Sequence, residues 1–273
     1  MLRWLCTLLA FSLVTTHAAD YPFFAFQNGV RLPTDELRAD LLKKIGFDGI
    51  GSANLPEDGD LDRLFTIYKE WDLRVFSFYT GANLTEDGAT VPDALIEAIP
   101  KMKGTNVVIE FFIKGRKSAP RKEAVDIVRK IADLAAQSEV QIVLYPHAGM
   151  YVETLTDATT LAREVDRDNV GVMFNLCHFL RIEPKADLKE TLTSAGDLLR
   201  QVSISGADVG GQDWSELIQP LGKGTYDVSQ LFDILEEIDF KGPIGLQCYN
   251  IPGKSEDFLT RSFAAWRSLK NAK

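Results

Sequence analysis

Apolar positions along this chain gather in short blocks, and the blocks alternate with longer stretches of helical spacing. The blocks at 23–26, 46–51, 74–79, 107–113, 140–145, 170–175, 201–205 and 243–249 read as eight strands. Several are continuous Val/Ile/Leu/Phe runs, as expected of strands covered on both faces. Between them, 34–45 opens on a Thr cap and sets Leu37, Leu41, Leu42 and Ile45 on one face. Segment 61–71 places Leu64, Phe65, Tyr68 and Trp71 together, and 120–137 starts with a proline and repeats Val125, Val128, Ile131, Ala132 and Ala135. Helices are also predicted over 154–165, 186–192, 229–238 and 256–269, with a weaker pattern over 91–102.

Eight strands, each followed by a helix, with no Gly/Ser linker, predict one α/β domain: a single (β/α)8 TIM barrel over residues 21–273. An open doubly wound sheet is the other arrangement of such a pattern. It lacks support, because Asn28-Gly29 after the first strand is not a dinucleotide fingerprint.

The N-terminus departs from the alternation. One basic residue, Arg3, precedes an almost unbroken apolar run from Trp4 to Val14, and small residues surround Ala18. That layout predicts a signal peptide over 1–18, too short in its apolar part for an ordinary membrane span, and export to the periplasm or the extracellular space. Only Cys177 and Cys248 would then remain, and both are expected to pack as small apolar residues rather than to pair.

Hydrophobic content of 45% and charged content of 25% over 273 residues suit a full-sized core. A net charge of −9 without a Lys/Arg-rich run argues against a nucleic-acid partner. No membrane association is expected after leader removal, and the oligomeric state is open.

Barrel active sites form at the C-terminal ends of the strands, so the strand tips carry the candidate chemistry. His147 follows Leu144-Tyr145-Pro146, and His178 follows Asn175 by three residues; imidazoles at such tips suit acid/base work near neutrality. Tyr145, Asn175, Ser203 and Gln247 end their strands in hydrogen-bonding side chains; the Asn175 amide suits sugar hydroxyls as well as loop capping, and Gln247 would meet a ligand or anchor a neighbouring loop. Ser205 is a further candidate. Lys223, between Gly222 and Gly224, is a candidate to reach a ligand, whereas Asp227 is expected to cap the helix after it. Glu110, the one acid inside an apolar strand, reads either as a buried base or as a residue turned to the helix layer.

The βα order, the His after strand five, Asn-x-x-His after strand six, Gly-Lys-Gly-x-x-Asp after strand seven and the Gly-Pro-Ile-Gly-Leu-Gln ending resemble the xylose isomerase-like barrels. That group holds sugar isomerases, epimerases and barrel-type abasic-site endonucleases. The resemblance implies proton transfer next to a carbonyl, assisted by a divalent metal on Glu, Asp, His and Glu at strands five to eight. The matching positions here are Tyr145, Asn175, Ser203 and Gln247, all without an anionic or imidazole ligand. The resemblance therefore leads to three expectations. The first is a metal-independent isomerase or epimerase (or lyase) using His147 and His178. The second is a carbohydrate-binding protein without chemistry. The third is a rearranged metal site drawing on His147, His178 and Glu153 or Asp208.

Overall fold

The structure, a computed structural model, describes residues 21–271. The leader predicted at 1–18 lies outside the described residues. The described strands are β1 (Phe23–Phe26), β2 (Gly49–Gly51), β3 (Arg74–Val75), β4 (Ser77–Thr85), β5 (Gly88–Thr90), β6 (Val108–Lys114), β7 (Gln141–Leu144), β8 (Val170–Asn175), β9 (Leu199–Ile204) and β10 (Ile244–Leu246). They form one sheet in the order β3-β2-β1-β10-β9-β8-β7-β6-β4-β5.

The ends of that order meet. β3 pairs with β2 and β4 pairs with β6, and only Phe76 separates β3 from β4. Bonds from Phe76 N–H to the Ile50 carbonyl (2.7 Å) and from Ala53 N–H to the Ser77 carbonyl (3.0 Å) close the ring. All neighbouring barrel strands run parallel, and β5 adds a short antiparallel return on β4 that the apolar pattern did not predict. Helices fill the connections, so the fold is the α/β barrel the alternation predicts.

Two predicted strands lose half their expected length or more, for local reasons. Gly46 takes a left-handed conformation (φ 112°) and ends helix Asp35–Ile45, so the second strand begins only at Gly49. The last strand ends at Leu246, and Gln247 already belongs to the loop beyond it.

Alternation along the strands sorts the side chains. Ile109, Phe111 and Ile113 pack toward the helices, whereas Phe24, Phe26, Phe76, Val143, Tyr145 and Met173 form a separate cluster inside the barrel. Phe24 stacks on Phe76 with ring centroids 4.7 Å apart. Glycines opposite make room: a methyl on Gly51 would stand 2.2 Å from the Phe24 ring, and one on Gly245 2.5 Å from the Phe26 ring.

Candidate active site

Above this aromatic plug the strand tips and loops enclose a cavity of about 550 Å³, within the range of small-molecule sites. Its wall includes Tyr145, His147, His178 and Gln247 of the predicted residues, together with Asn28, Arg31, Arg38, Ser52, Tyr79, Trp214 and Tyr249.

His147 stands on a pinned turn. Pro146 ends strand pairing, His147 N–H donates to the Val152 carbonyl (3.0 Å), and Met150 N–H donates back to the His147 carbonyl (3.0 Å). Glu153 Oε1 accepts from Gly149 N–H at 2.7 Å, holding the turn from outside. His178 comes from a different construction. Helix Leu176–Ile182 starts directly after β8 and carries His178 in its first turn, so it lies on a helix rather than in the loop expected from the sequence.

The two rings lie 4.1 Å apart between centroids, and Ala148 links them. His147 Nδ1 is 2.8 Å from the Ala148 carbonyl, an acceptor, so Nδ1 carries the hydrogen of neutral His147. The Ala148 N–H donates to His178 Nδ1 at 3.3 Å, so the hydrogen of neutral His178 sits on Nε2. Burial pushes the His147 pKa below its usual value, and burial together with the neighbouring His147 pushes His178 well below. Both imidazoles are therefore neutral at pH 7, with His147 Nε2 a free base and His178 Nε2–H a donor.

Tyr145 lies across from this pair, its ring centroid 6.2 Å from His147 and 6.0 Å from His178. Its hydroxyl accepts from Asn175 Nδ2 at 2.6 Å, and burial keeps the phenol protonated far past neutrality. The Trp214 ring meets His178 edge-on at 5.2 Å. The Gln247 oxygen is fully engaged: Oε1 accepts from Asn28 Nδ2 (2.9 Å), Cys248 N–H (3.0 Å) and Tyr249 N–H (3.0 Å). Gly29 makes that contact possible, since a Cβ there would lie 2.0 Å from Cys248 Cβ.

The remaining predicted residues sit elsewhere. Asn175 and Ser203 are buried inside the barrel, outside the cavity wall; Asn175 supports Tyr145 from below, and Ser203 Oγ is without a hydrogen-bond partner among the described residues. Ser205 Oγ donates to the Leu217 carbonyl. Lys223 is exposed and away from the cavity. The glycine beside it answers to backbone packing instead: a Cβ on Gly224 (φ 84°) would lie 2.1 Å from the Ala207 carbonyl oxygen. Asp227 accepts from Ser229 N–H at 2.9 Å, but lies one residue ahead of Val228, the N-cap of helix Ser229–Glu237, so it holds the helix start from just outside the cap position expected of it. Cys177 and Cys248 are buried free thiols.

Glu110 turns into the barrel, not to the helix layer. Its Oε1 accepts from Ser77 Oγ (2.6 Å) and from Gln201 Nε2, while Oε2 is unbonded among the described residues. Burial raises its pKa despite those donors. Ser77 Oγ also accepts from Ser52 N–H at 2.7 Å, which secures Ser52 at the cavity wall in a left-handed conformation (φ 46°).

The four positions that the resemblance assigns to a metal do not suit one. Tyr145 is a protonated phenol, Asn175 Oδ1 accepts from the Cys177 thiol, Ser203 is a hydroxyl, and the Gln247 oxygen is occupied by three donors. Hard divalent ions need carboxylates at such places. The alternative acids serve loops: Glu153 holds Gly149, and Asp208 accepts from Thr225 N–H (3.0 Å) and Gln219 Nε2 (2.7 Å). Among the described residues, no three His, Cys, Asp or Glu side chains are grouped to hold a metal.

A parallel barrel with a walled cavity at the C-terminal strand ends is the architecture of small-molecule α/β barrel proteins. The xylose isomerase-like TIM barrel family model matches residues 39–268, and the chain belongs to that family. The chain is 26% identical over 152 residues to an L-ribulose 3-epimerase of Methylomonas sp. (strain DH-1); the match covers 55% of this chain and only 49%, about half, of that protein. Its fold is similar to that of the 3-keto-D-glucoside 4-epimerase from E. coli (TM-score 0.73, 18% identity, 92% of this chain and 100% of that one). It is also similar to the fold of a D-allulose 3-epimerase from Methylomonas sp. in complex with D-allulose (TM-score 0.72, 19% identity, 94% and 100%). An AP endonuclease, family 2, from Brucella melitensis is alike as well (TM-score 0.70, 20% identity, 91% and 98%). Among the described residues, no helix is long and apolar enough to cross a membrane.

Proposed function

We propose that this chain is an exported sugar isomerase or epimerase that moves a proton next to a carbonyl without a divalent metal. The observation that carries the reading is the His147–His178 pair, held by Ala148 in opposite tautomers 4.1 Å apart on the cavity wall. His147 Nε2 takes the proton from the carbon beside the carbonyl. His178 Nε2–H and the Tyr145 hydroxyl donate to the carbonyl oxygen as negative charge develops there, the role a metal ion plays in other enzymes. Returned to the former carbonyl carbon, while the hydroxyl proton of the adjacent carbon passes to the old carbonyl oxygen, the proton completes an isomerisation; a proton delivered from solvent to the opposite face of the same carbon completes an epimerisation.

The epimerase names of the relatives support a sugar substrate. The apolar run from Trp4 to Val14, ahead of the small residues around Ala18, supports export.

The test is incubation with a panel of ketoses, aldoses and keto-glycosides in D2O, followed by NMR. Deuterium entering at the carbon next to the carbonyl is the expected result. Sugar binding with no deuterium uptake would instead identify a carbohydrate-binding protein.

A further inference from the structure

We infer that the sugar bound here is an acidic one, carrying a carboxylate or a sulfate ester, and that Arg31 and Arg38 receive the acid group. This rests on the sugar-site reading above and names its substrate class.

The protein as a whole carries a net charge of −9, yet none of the described residues lining the cavity is Asp or Glu, and two are arginines. Both histidines in the wall are neutral, so the arginines set the sign of the cavity. Arg31 follows β1, and its backbone N–H donates to Ser255 Oγ at 3.0 Å. Its Nη2 donates to the carbonyls of Ile251 (2.8 Å) and Gly253 (2.7 Å), and its guanidinium lies 5.5 Å from the Phe258 ring centroid. These neutral partners hold the guanidinium in place without cancelling its charge.

Arg38 is partly compensated. Its Nη1 meets Asp35 Oδ1 at 2.8 Å, while Nε is buried without a hydrogen-bond partner among the described residues. A positive hollow in an acidic molecule draws anions and repels cations, and a guanidinium bonds carboxylate or sulfate oxygens with charge-assisted hydrogen bonds. A neutral sugar would leave the Arg31 charge, which faces only neutral partners, without a counter-charge in the cavity.

The experiment pairs each acidic sugar with its neutral counterpart: glucuronate and galacturonate against glucose and galactose, and the 6-sulfates against the same hexoses. Calorimetry measures binding at low and at 0.5 M NaCl (roughly threefold to tenfold shorter screening than dilute buffer), and deuterium uptake is followed on every sugar. The expected result is at least about tenfold tighter binding of a uronate or a sulfate ester than of its hexose, the size of one charge-assisted hydrogen bond. That ratio falls toward one in Arg31→Gln and Arg38→Gln, and in the wild type at high salt. Which acid wins, uronate or sulfate, identifies the group. Equal binding of acidic and neutral sugars, no binding of any acidic sugar, or a ratio untouched by salt and by both substitutions overturns the inference. Salt-sensitive acid preference without deuterium uptake refutes the isomerase reading alone; uptake on neutral sugars without acid preference refutes this inference alone.

Discussion

The Nδ1 atoms of His147 and His178 meet opposite ends of one residue: the first faces the Ala148 carbonyl at 2.8 Å, the second accepts the Ala148 N–H at 3.3 Å. A single backbone position thus sets two tautomers in opposite senses. One ring is left as a base and the other as an acid while both are uncharged. Paired acid and base roles are commonly separated by environments that split two pKa values; here the split comes from hydrogen-bond direction.

Removing either ring should therefore damage different parts of one step. His147→Gln is expected to lower the rate of deuterium uptake by about 10²- to 10⁴-fold, the usual weight of a general base, with sugar affinity little changed. His178→Gln keeps a donor but loses its aim, so a smaller loss is expected. Single-turnover NMR exchange together with calorimetric affinity separates the two; a His147→Gln variant with wild-type exchange would remove the base assignment.

The pH dependence follows from the depressed imidazoles. The pKa of His147 is lowered in the fold, so its base form persists below the usual histidine range of about 6.5. Exchange should stay level through neutrality and decline only on an acid limb below that value. Stability moves the same way: groups whose folded pKa is lowered contribute stability above the unfolded pKa, and lose it as pH falls toward the folded one. Melting temperature should drop below about pH 6.5, less steeply in His178→Gln, because His178 is the more strongly depressed of the two.

Much of the fold is readable in the sequence because strand and helix periodicities differ, and blocks such as Val170–Asn175 are apolar throughout. The hairpin strand Gly88–Thr90 is not readable: three residues with a single small apolar side chain, Ala89, give no period. The cavity wall is legible where hydrogen-bonding side chains sit on strand tips, as at Tyr145, His147 and Gln247. Asn28, Arg31 and Trp214 escaped notice, since they come from a three-residue turn, the loop after it and the start of a four-residue helix. Lys223 misled for a physical reason. Glycines around a lysine suggest ligand approach, but Gly224 is there to let the loop lie against Ala207.

The neutral strand tips predict indifference to chelators. Protein equilibrated with Mn2+ and desalted should retain far less than one ion per chain by elemental analysis, and EDTA should leave exchange unchanged. Introducing two carboxylates in the Asn175→Asp, Gln247→Glu double variant should raise Mn2+ affinity measurably. Stoichiometric metal in the wild type would contradict the reading of Asn175 and Gln247 as neutral hydrogen-bonding groups.

Glu110 predicts an effect of opposite sign to the histidines. Its folded pKa is raised by burial, so it contributes stability below its unfolded value of about 4.5 and loses it as pH climbs toward the folded value. Glu110→Gln mimics the protonated acid: its oxygen can accept from Ser77 and Gln201, and its NH2 adds donors in an interior where Gln201 Oε1 and Ser203 Oγ lack partners among the described residues. The variant should gain on the wild type as pH rises, by about 1.4 kcal/mol per unit until the folded pKa is passed. Denaturant titrations from pH 5 to 8 measure that divergence, and parallel curves would show that Glu110 is ionised in the fold.

Gly29 tests how closely the first and last loops must meet. A Cβ at this position would lie 2.0 Å from Cys248 Cβ and 2.8 Å from its sulfur, an overlap that neither backbone can relieve by rotating a side chain. Gly29→Ala should cost about 1–3 kcal/mol of stability, the range for forced overpacking. It should also separate Asn28 from Gln247, whose 2.9 Å bond joins the two neighbouring loops at the cavity wall. Sugar affinity should then fall more than the exchange rate of bound sugar, because His147 and His178 stand on other loops. Thermal denaturation and calorimetry read the two effects, and a Gly29→Ala protein with wild-type values for both would show that the loops move apart freely.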